Sequence, residues 1–243
     1  MMTTGGRPRR LPAGPWQGLL SHAFRLVDEI GVRGVNDPFW TFGGGTVLML
    51  RYQHRRSKDI DIFVPDPQYL GYVSPRLSAV AEAISADYVE GAGYVKLIRQ
   101  EGEIDFVASS NLTATPFETW SLQRRPVRVE TAAEIIAKKL WHRGDKVSAR
   151  DLFDLSLVIE REPDSLVAAA AFLVRHREAF VSQLAARGSV LKAQFDAIDV
   201  LKYRPSFDQA ALRAATFLEG LPALRVNGAD AGIASTPFKD TPP

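Results

Sequence analysis

The chain has 243 residues, of which 46% are hydrophobic and 24% are charged, and its formal net charge is +2 at pH 7. These proportions exclude a disordered or low-complexity chain. The sequence has no cysteine, which excludes disulfides, thiolate metal sites and a cysteine nucleophile, and its four histidines are not paired at helical spacing. No apolar run approaches the roughly 20 residues that span a bilayer, and no apolar segment follows the basic N-terminus. We therefore expect a cytoplasmic protein with no membrane partner.

The first part of the chain predicts an α/β domain over residues 16–130, preceded by a flexible segment over 1–15 that is rich in Gly, Pro and Arg. Apolar periodicity and turn residues indicate its elements. In chain order these are a helix over 16–30 capped by Gly31, a strand over 39–42, a helix over 46–52, a strand over 55–64, a helix over 74–85, strands over 88–99 and 103–109, and a strand over 121–130. Pro126 predicts that the last strand lies at a sheet edge, because proline lacks the N–H that a ladder needs.

The second part of the chain predicts a helical domain over residues 131–221 and a flexible tail over 222–243. Its first two helices each begin at a Ser or Thr that is followed three residues later by an acid, which is a capping pattern. The caps are Thr131 with Glu134 and Ser148 with Asp151. The helices that follow these caps are expected to end near residues 143 and 160. Two further helices are predicted over 164–184 and 190–203. The predicted fold class is therefore α+β.

One predicted strand carries two aspartates on the same face. Because side chains alternate along a strand, Asp59 and Asp61 point the same way, about 6.7 Å apart along the chain, while Ile60 and Ile62 face a core. Asp105 lies in a second apolar strand, and if the two strands pair, about 4.8 Å apart, the three carboxylates converge. Such oxygen ligands suit Mg²⁺ or Mn²⁺, and two ions about 3.5–4 Å apart would stabilise an in-line phosphoryl displacement. The sequence thus predicts three metal ligands at this place.

A glycine-rich turn before this strand predicts a phosphate site. Gly44 and Gly45 end a strand and open a helix, where backbone N–H groups and the positive end of the helix hold anions. Ser57 lies two residues before Asp59 and is expected to donate a hydrogen bond to a phosphate oxygen. The candidate phosphate-binding residues are Gly44, Gly45, Thr46 and Ser57.

Two blocks of the sequence resemble the AbiEii/AbiGii toxin family of nucleotidyltransferases, within the DNA polymerase-β-like superfamily. The first block is GGTVLMLRYQHRRSKDIDIFV. The second is EIIAKKLWHRGDKVSARDLFDL, in which a lysine on one helix precedes Arg-Asp-x-x-Asp on the next. The resemblance spans roughly residues 42–157, and its motifs keep their order.

The resemblance implies a polymerase-β-like nucleotidyltransferase core followed by a helical C-terminal domain. By it, Ser57, Asp59 and Asp61 would hold metal and triphosphate, and Asp105 would be the third carboxylate. The helical domain would also contribute to the site. Its members would be Lys139, which would contact phosphate, and Asp151, which would complete the catalytic set.

The resemblance also implies a Mg²⁺-dependent enzyme that moves NMP from an NTP to an acceptor hydroxyl, on RNA such as a tRNA 3′ end or on a protein. It would be the toxin of a toxin–antitoxin or phage-defence pair, with a cognate antitoxin as partner. Two other functions stay open. One is a non-catalytic protein of the same fold that binds NTP or RNA, and the other is a nucleotidyltransferase with a small-molecule acceptor such as an antibiotic.

Simpler interpretations stay open for individual residues. The Asp-Ile-Asp segment alone fits a solvated edge strand, and Asp105 alone fits a surface acid. Lys138 is predicted to pair with Glu134 at the helix surface, and Lys139 alone fits a solvated lysine. The other simple interpretations are a helix cap for Asp151, an i, i+4 pair for Arg150 with Asp154, and structural or surface positions for His54 and His142.

Basic residues cluster in sequence around the predicted site, with Tyr52 and Trp141 between them. Such a surface would suit a polyanionic acceptor such as RNA, and solvated surface charge is the simpler alternative. The members are Arg51, Arg55, Arg56, Lys58, Arg124, Arg125, Arg128, Lys138, Lys139, Arg143, Lys146 and Arg150.

Overall fold

A computed structural model describes residues 11–222 of the chain. The flexible ends predicted over 1–15 and 222–243 fall outside the described residues at positions 1–10 and 223–243. The strands are β1 (Thr41–Gly43), β2 (Ile60–Val64), β3 (Tyr88–Gly91), β4 (Tyr94–Arg99), β5 (Gly102–Ala108), β6 (Phe117–Leu122) and β7 (Arg125–Glu130). The helices are α1 (Trp16–Val32), α2 (Gly44–Tyr52), α3 (Tyr69–Val73), α4 (Ala79–Ile84), α5 (Ala132–Arg143), α6 (Ala149–Arg161), α7 (Pro163–Ala168), α8 (Ala170–Leu173), α9 (Arg177–Ala186), α10 (Gly188–Asp196) and α11 (Phe207–Gly220).

The strands form one mixed sheet in the order β3-β4-β5-β2-β1-β7-β6. The pairs β2–β5 and β1–β7 are parallel, and the other neighbours are antiparallel. This arrangement confirms the predicted α+β class. It also places β2 and β5, the two strands that carry the predicted carboxylates, side by side near the centre of the sheet.

The apolar face of the central strands packs against α1. Ile60, Ile62 and Val64 on β2 are fully buried, as the alternating pattern predicts, and so are Ile104 and Phe106 on β5. Helix α1 contacts both strands. Because side chains alternate, the residues between these apolar positions stand on the opposite face of the sheet, which is the face that carries the acids.

Two segments that the sequence predicts as single strands take part in hairpins. The segment predicted as one strand over 88–99 folds back at residues 92–93 into β3 and β4. The strand predicted over 121–130 is shorter, and β6 precedes it as its hairpin partner. The edge position predicted from Pro126 is wrong, because β7 lies between β1 and β6. The proline is tolerated because the three-residue β1 pairs with β7 only at Val129, so no strand lies beside Pro126 on that side.

Several helices differ from their predicted bounds. Helix α1 continues through Gly31, and its C-cap is Arg33. The helix predicted over 74–85 is replaced by α3 and α4, because Pro75 disfavours a helical conformation at Ser74, which is extended. The helix predicted over 164–184 is three separate helices, α10 ends before the predicted residue 203, and α11 was not predicted.

The buried apolar residues form one continuous core from α1 through the sheet to α11. Residues of α5 and α6 belong to this core together with residues of β2 and β7. The division at residue 130 into two domains stays a prediction. Among the described residues, none of the helices has the length and apolar character needed to cross a bilayer.

Candidate active site

The predicted acids lie at the centre of the sheet. Asp61 on β2 pairs with Asp105 on β5 in parallel register, so the two carboxylates are neighbours on one face. Asp59 lies one residue before β2, where its Oδ1 accepts a hydrogen bond from the backbone N–H of Glu103 at 3.0 Å. The structure thus places Asp61 and Asp105 next to each other and ties Asp59 to the start of the same neighbouring strand.

The glycines between β1 and α2 allow acidic side chains to rest against bare backbone. A Cβ built on Gly44, which has φ +72°, would lie 1.8 Å from Asp61 Oδ2. A Cβ built on Gly43 would lie 2.1 Å from Glu130 Oε2. Any side chain at either position would therefore displace a carboxylate. The Gly44 position also requires a left-handed conformation that favours glycine.

Burial and nearby carboxylates raise the pKa values of the two paired acids. Burial raises the pKa of Asp61 to about 6, with Lys139 opposing the shift and Asp59 adding to it. Burial raises the pKa of Asp105 to about 7, Asp61 adds to this shift, and Lys96 only partly offsets it. Two desolvated carboxylates with too little positive charge beside them are a typical setting for binding a cation.

These acids line a cavity of about 620 Å³, which is within the range of small-molecule sites. Two other cavities, each of about 740 Å³, are larger but contain none of the predicted site residues. The predicted site residues in its wall are Gly44, Gly45, Ser57, Asp59, Asp61, Asp105 and Lys139. Thr46 and Asp151 are not in its wall.

Thr46 contacts the cavity only through another residue. Its side chain is fully buried, and its Oγ1 donates to Ser57 Oγ at 3.0 Å. The sequence predicts Ser57 on the strand, whereas the structure places it in the loop before β2. It still lines the cavity. We conclude that Thr46 orients the Ser57 hydroxyl and does not face the cavity itself.

Lys139 is held in the cavity wall by two acids of α6. Its Nζ lies 2.8 Å from Asp151 Oδ1 and 2.6 Å from Asp154 Oδ2. Asp151 Oδ1 also lies 2.8 Å from Arg143 Nη2, and its Oδ2 accepts from Ser148 Oγ at 2.7 Å. Asp151 therefore lies behind Lys139 and Arg143 and positions them. The capping role also applies, since Ser148 accepts from the Asp151 N–H.

Asp154 is the centre of a buried ionic cluster that no spacing in the sequence predicts. It accepts hydrogen bonds from Arg55 Nε at 2.7 Å and Nη2 at 2.8 Å, and it contacts His54 Nε2 at 2.8 Å. Burial alone would raise the pKa of Asp154, but Arg55 and Lys139 hold it well below its usual value. The predicted pair of Arg150 with Asp154 is wrong, because Asp154 is fully buried and Arg150 is exposed.

Lys138 is buried, so its predicted place at the helix surface is also wrong. The end of β7 brings Glu130 under α5, and Lys138 Nζ lies 2.5 Å from Glu130 Oε1 and 3.5 Å from Glu134 Oε1. The ammonium also lies 4.1 Å from the centroid of the Phe63 ring. The predicted pairing with Glu134 is therefore present, and Glu134 also accepts from the backbone N–H of Thr113 at 2.8 Å. Lys138 is buried because it contacts Glu130 of β7, and the spacing of residues along α5 does not report this contact.

Further groups in the cavity wall were not among the predicted site residues. Glu103 lies two residues before Asp105 on β5, so strand alternation places both side chains on the same face. This spacing is the sequence signal from which Glu103 could have been predicted. Lys96 on β4 is the register partner of Asp105. His142 is exposed and lines the cavity, and its Nε2 lies 3.2 Å from Ser109 Oγ. His54, by contrast, is fully buried in a structural position.

The paired carboxylates fit a divalent cation. Asp105 Oδ1 is buried without a hydrogen-bond partner, and Asp61 beside it has a raised pKa, so both groups gain from a cation between them. Within residues 11–222, no three His, Cys, Asp or Glu side chains are already grouped as the ligands of one ion. Asp61 and Asp105 are therefore the core of the candidate cation site, and Asp59 is its third candidate ligand.

Comparison with protein families identifies the class of enzyme. The family described as nucleotidyl transferase AbiEii toxin, type IV toxin–antitoxin system, matches residues 25–225, well over half of the chain. The chain belongs to this family. The match confirms the resemblance carried by residues 42–157 and extends it through the C-terminal helices. As an AbiEii protein, the chain is a nucleotidyltransferase of the toxin–antitoxin class.

Two solved structures illustrate the likeness of the AbiEii chain to other proteins. JHP933 from Helicobacter pylori matches with 18% sequence identity and a TM-score of 0.46, over 83% of this chain and 90% of that one. MenT4, a nucleotidyltransferase toxin from Mycobacterium tuberculosis H37Rv, matches with 20% identity and a TM-score of 0.49, over 86% of this chain and 85% of that one. No curated protein matches the sequence.

The paired acids predict a pH-dependent effect of Asp105→Asn on stability in EDTA. Between about pH 4 and pH 7 the folded AbiEii chain keeps protons that the unfolded chain releases, so these acids stabilise the fold less as the pH rises. Asparagine removes this penalty. We expect the variant and the wild type to melt alike below about pH 4, and we expect the variant's advantage to grow from about pH 4 to pH 7 and to reach about 5 °C or more at pH 8. Thermal unfolding checks this, and a constant difference across the pH range would contradict it.

Proposed function

We propose that the protein catalyses a Mg²⁺- or Mn²⁺-dependent transfer of NMP from an NTP to an acceptor hydroxyl, with release of pyrophosphate. The observation that carries the proposal is the pairing of Asp61 with Asp105 in one register, in a cavity that also contains the Gly44 turn and Lys139. Asp59, Asp61 and Asp105 would hold the divalent cation. When bound, the cation supplies charge stabilisation for the transferring phosphoryl group.

The remaining residues of the cavity bind and orient the nucleotide. The N-terminal turn of α2 lines the cavity at Gly44 and Gly45, and the free backbone N–H groups of a helix N-terminus would donate hydrogen bonds to a triphosphate there. Ser57 adds a hydroxyl donor, and Lys139 adds a positive charge to the phosphates. Asp151 and Asp154 hold the Lys139 side chain in place at the cavity, so less entropy is lost when substrate binds.

The bond changes are those of an in-line displacement. The acceptor oxygen bonds to the α-phosphorus, the bond from that phosphorus to the bridging oxygen of the pyrophosphate breaks, and pyrophosphate leaves. The acceptor proton passes to a carboxylate oxygen of the acidic group. Asp105 is suited to this role, because the residue lines the cavity and its Oδ1 makes no hydrogen bond within the protein.

An RNA acceptor such as a tRNA 3′ end fits the exposed charge at the cavity. Arg143 and Arg150 are exposed and line it, so they can contact a phosphate backbone. Other members of the basic cluster are occupied elsewhere, since Arg55 and Lys138 are buried and Arg125 pairs with Asp28. The acceptor surface is therefore narrower than the sequence predicts.

The family assignment supports a cognate antitoxin as partner. We also propose that the protein acts in the cytoplasm, where NTP and RNA would be available to it. Induction of the toxin without its antitoxin should arrest growth. The antitoxin partner and the growth arrest are both inferred from the toxin–antitoxin class of the family rather than from a contact in the structure.

A transfer assay tests the proposal. Purified protein is incubated with each α-³²P-labelled NTP, with Mg²⁺, Mn²⁺ or EDTA, and with total tRNA, with a small-molecule panel of aminoglycosides, or with no acceptor. We expect label on tRNA with release of pyrophosphate, and no label in EDTA. Label on an aminoglycoside would instead establish a small-molecule acceptor. Nucleotide binding by calorimetry with no labelled product under any condition would overturn the enzymatic proposal in favour of a binding protein.

A further inference from the structure

A lysine lies in the same row of side chains as the paired carboxylates. Lys96 on β4 is the register partner of Asp105 on β5, and Asp105 is the register partner of Asp61 on β2. Register partners on neighbouring strands stand on the same face, so the order across the sheet is ammonium, carboxylate, carboxylate. Lys96 and Asp105 both line the cavity, and their side chains are 29% and 19% exposed.

The ammonium occupies one oxygen of Asp105 and leaves the other. Lys96 Nζ lies 3.2 Å from Asp105 Oδ2, whereas Asp105 Oδ1 has no partner. Lys96 Nζ also donates to Glu103 Oε2, which holds it from a second side. The lysine is thus fixed at the end of the acidic row by two carboxylates of one strand.

The protein groups already bound to the acids limit how many ions the site can take. Asp105 Oδ2 is engaged by Lys96 and Asp59 Oδ1 by the Glu103 N–H. A pair of ions about 3.5–4 Å apart needs several carboxylate oxygens to hold both. A second ion on Asp105 would lie beside an ammonium that repels it.

We propose that Lys96 takes the place of the second cation at this site, so that the protein binds one divalent ion where a two-ion centre would bind two. This inference rests on the proposed divalent-cation site at Asp59, Asp61 and Asp105, and it specifies its stoichiometry. The tethered ammonium offsets part of the charge of Asp105, and the single ion would be held by the remaining carboxylate oxygens. Lys96 is a positioning residue that acts through Asp105.

Counting bound Mn²⁺ tests the inference without any catalytic turnover. Free Mn²⁺ is measured by electron paramagnetic resonance as it is titrated into the full-length protein with no nucleotide present. We expect one bound ion in the wild type and in Lys96→Arg, and two in Lys96→Met, whose side chain has similar length and no charge. Lys202→Met is the matched control, since Lys202 is exposed and does not line the cavity, and it should bind one ion.

The activity of the same variants gives a second measurement. At low Mg²⁺, transfer by Lys96→Met should fall on the order of 10- to 100-fold, should recover at high Mg²⁺, and should be retained in Lys96→Arg. Two ions in the wild type, or one ion in both the wild type and Lys96→Met, would overturn the inference and leave the proposed function intact. No Mn²⁺ binding together with no labelled product would overturn the proposed function itself. Circular dichroism confirms that each variant is folded.

Discussion

Replacing Asp61 with asparagine is expected to lower the rate of nucleotidyl transfer by about 10³-fold or more while the protein stays folded. The amide keeps the size of the side chain against Gly44 but removes the negative charge that would hold the proposed cation. Because burial raises the pKa of Asp61 to about 6, the neutral side chain should also relieve repulsion from Asp105. The variant should therefore be inactive and, in EDTA at pH 8, at least as stable as the wild type.

The measurement is the initial rate of pyrophosphate release, with thermal unfolding on the same sample. Asp66→Asn is the matched control, because Asp66 follows β2 closely and lies outside the cavity, where its Oδ1 accepts from the Gln68 N–H at 2.9 Å. The control should transfer at the wild-type rate. Asp61→Asn that keeps this rate would show that the chemistry takes place elsewhere on the molecule.

Replacing Asp154 with alanine should have the largest effect on folding. The substitution leaves Arg55, which is 4% exposed, and Lys139 without the carboxylate that both contact. Removing one partner of a buried ionic group costs about 3–5 kcal/mol, because a charge stays buried without compensation. For a chain of this size that corresponds to a fall in melting temperature of about 10 °C or more.

Urea unfolding monitored by tryptophan fluorescence measures this loss. Arg150→Ala, one turn earlier on α6, is the matched control, since its exposed side chain should change the free energy of unfolding by no more than about 0.5 kcal/mol. If Asp154→Ala unfolds at the same urea concentration as the control, the cluster does not stabilise the fold. Transfer by the variant should also decrease at temperatures where it is folded, because Lys139 loses one of its two acids.

The part of the site that lies on strands could be predicted from the sequence. Alternation along the chain places Asp61 opposite to Ile60 and Ile62, and one correct assumption about strand pairing brings Asp105 beside it. The same rule places Glu103 on this face. These positions follow from a period of two residues, which every strand shares, so local sequence contains the necessary information.

The part that depends on long-range contacts could not be predicted in this way. Arg55 and Asp154 are 99 residues apart in sequence and meet only because α6 packs against the loop before β2. Lys138 was assigned to a helix surface because spacing along α5 reports Glu134 but not Glu130, which arrives from β7. In both cases the partner comes from another element, and no spacing encodes it.

The boundaries of several elements failed for a related reason. The strand pattern over 88–99 is correct in its conformation, but alternation does not report the reversal of direction at residues 92–93. Pro126 was taken to indicate an edge, whereas the length of β1 decides which N–H groups of β7 have a neighbour. Such features depend on the lengths of adjacent strands rather than on the residues within one of them.

The close approach of two carboxylates to Gly43 and Gly44 has a genetic consequence. Every single-base missense change in a glycine codon introduces a Cβ, and at these positions that atom would lie within about 2 Å of Asp61 or Glu130. Almost any such change should therefore silence the toxin. In a population of cells that loses the antitoxin, the survivors should therefore carry missense mutations in the codons of Gly43 and Gly44.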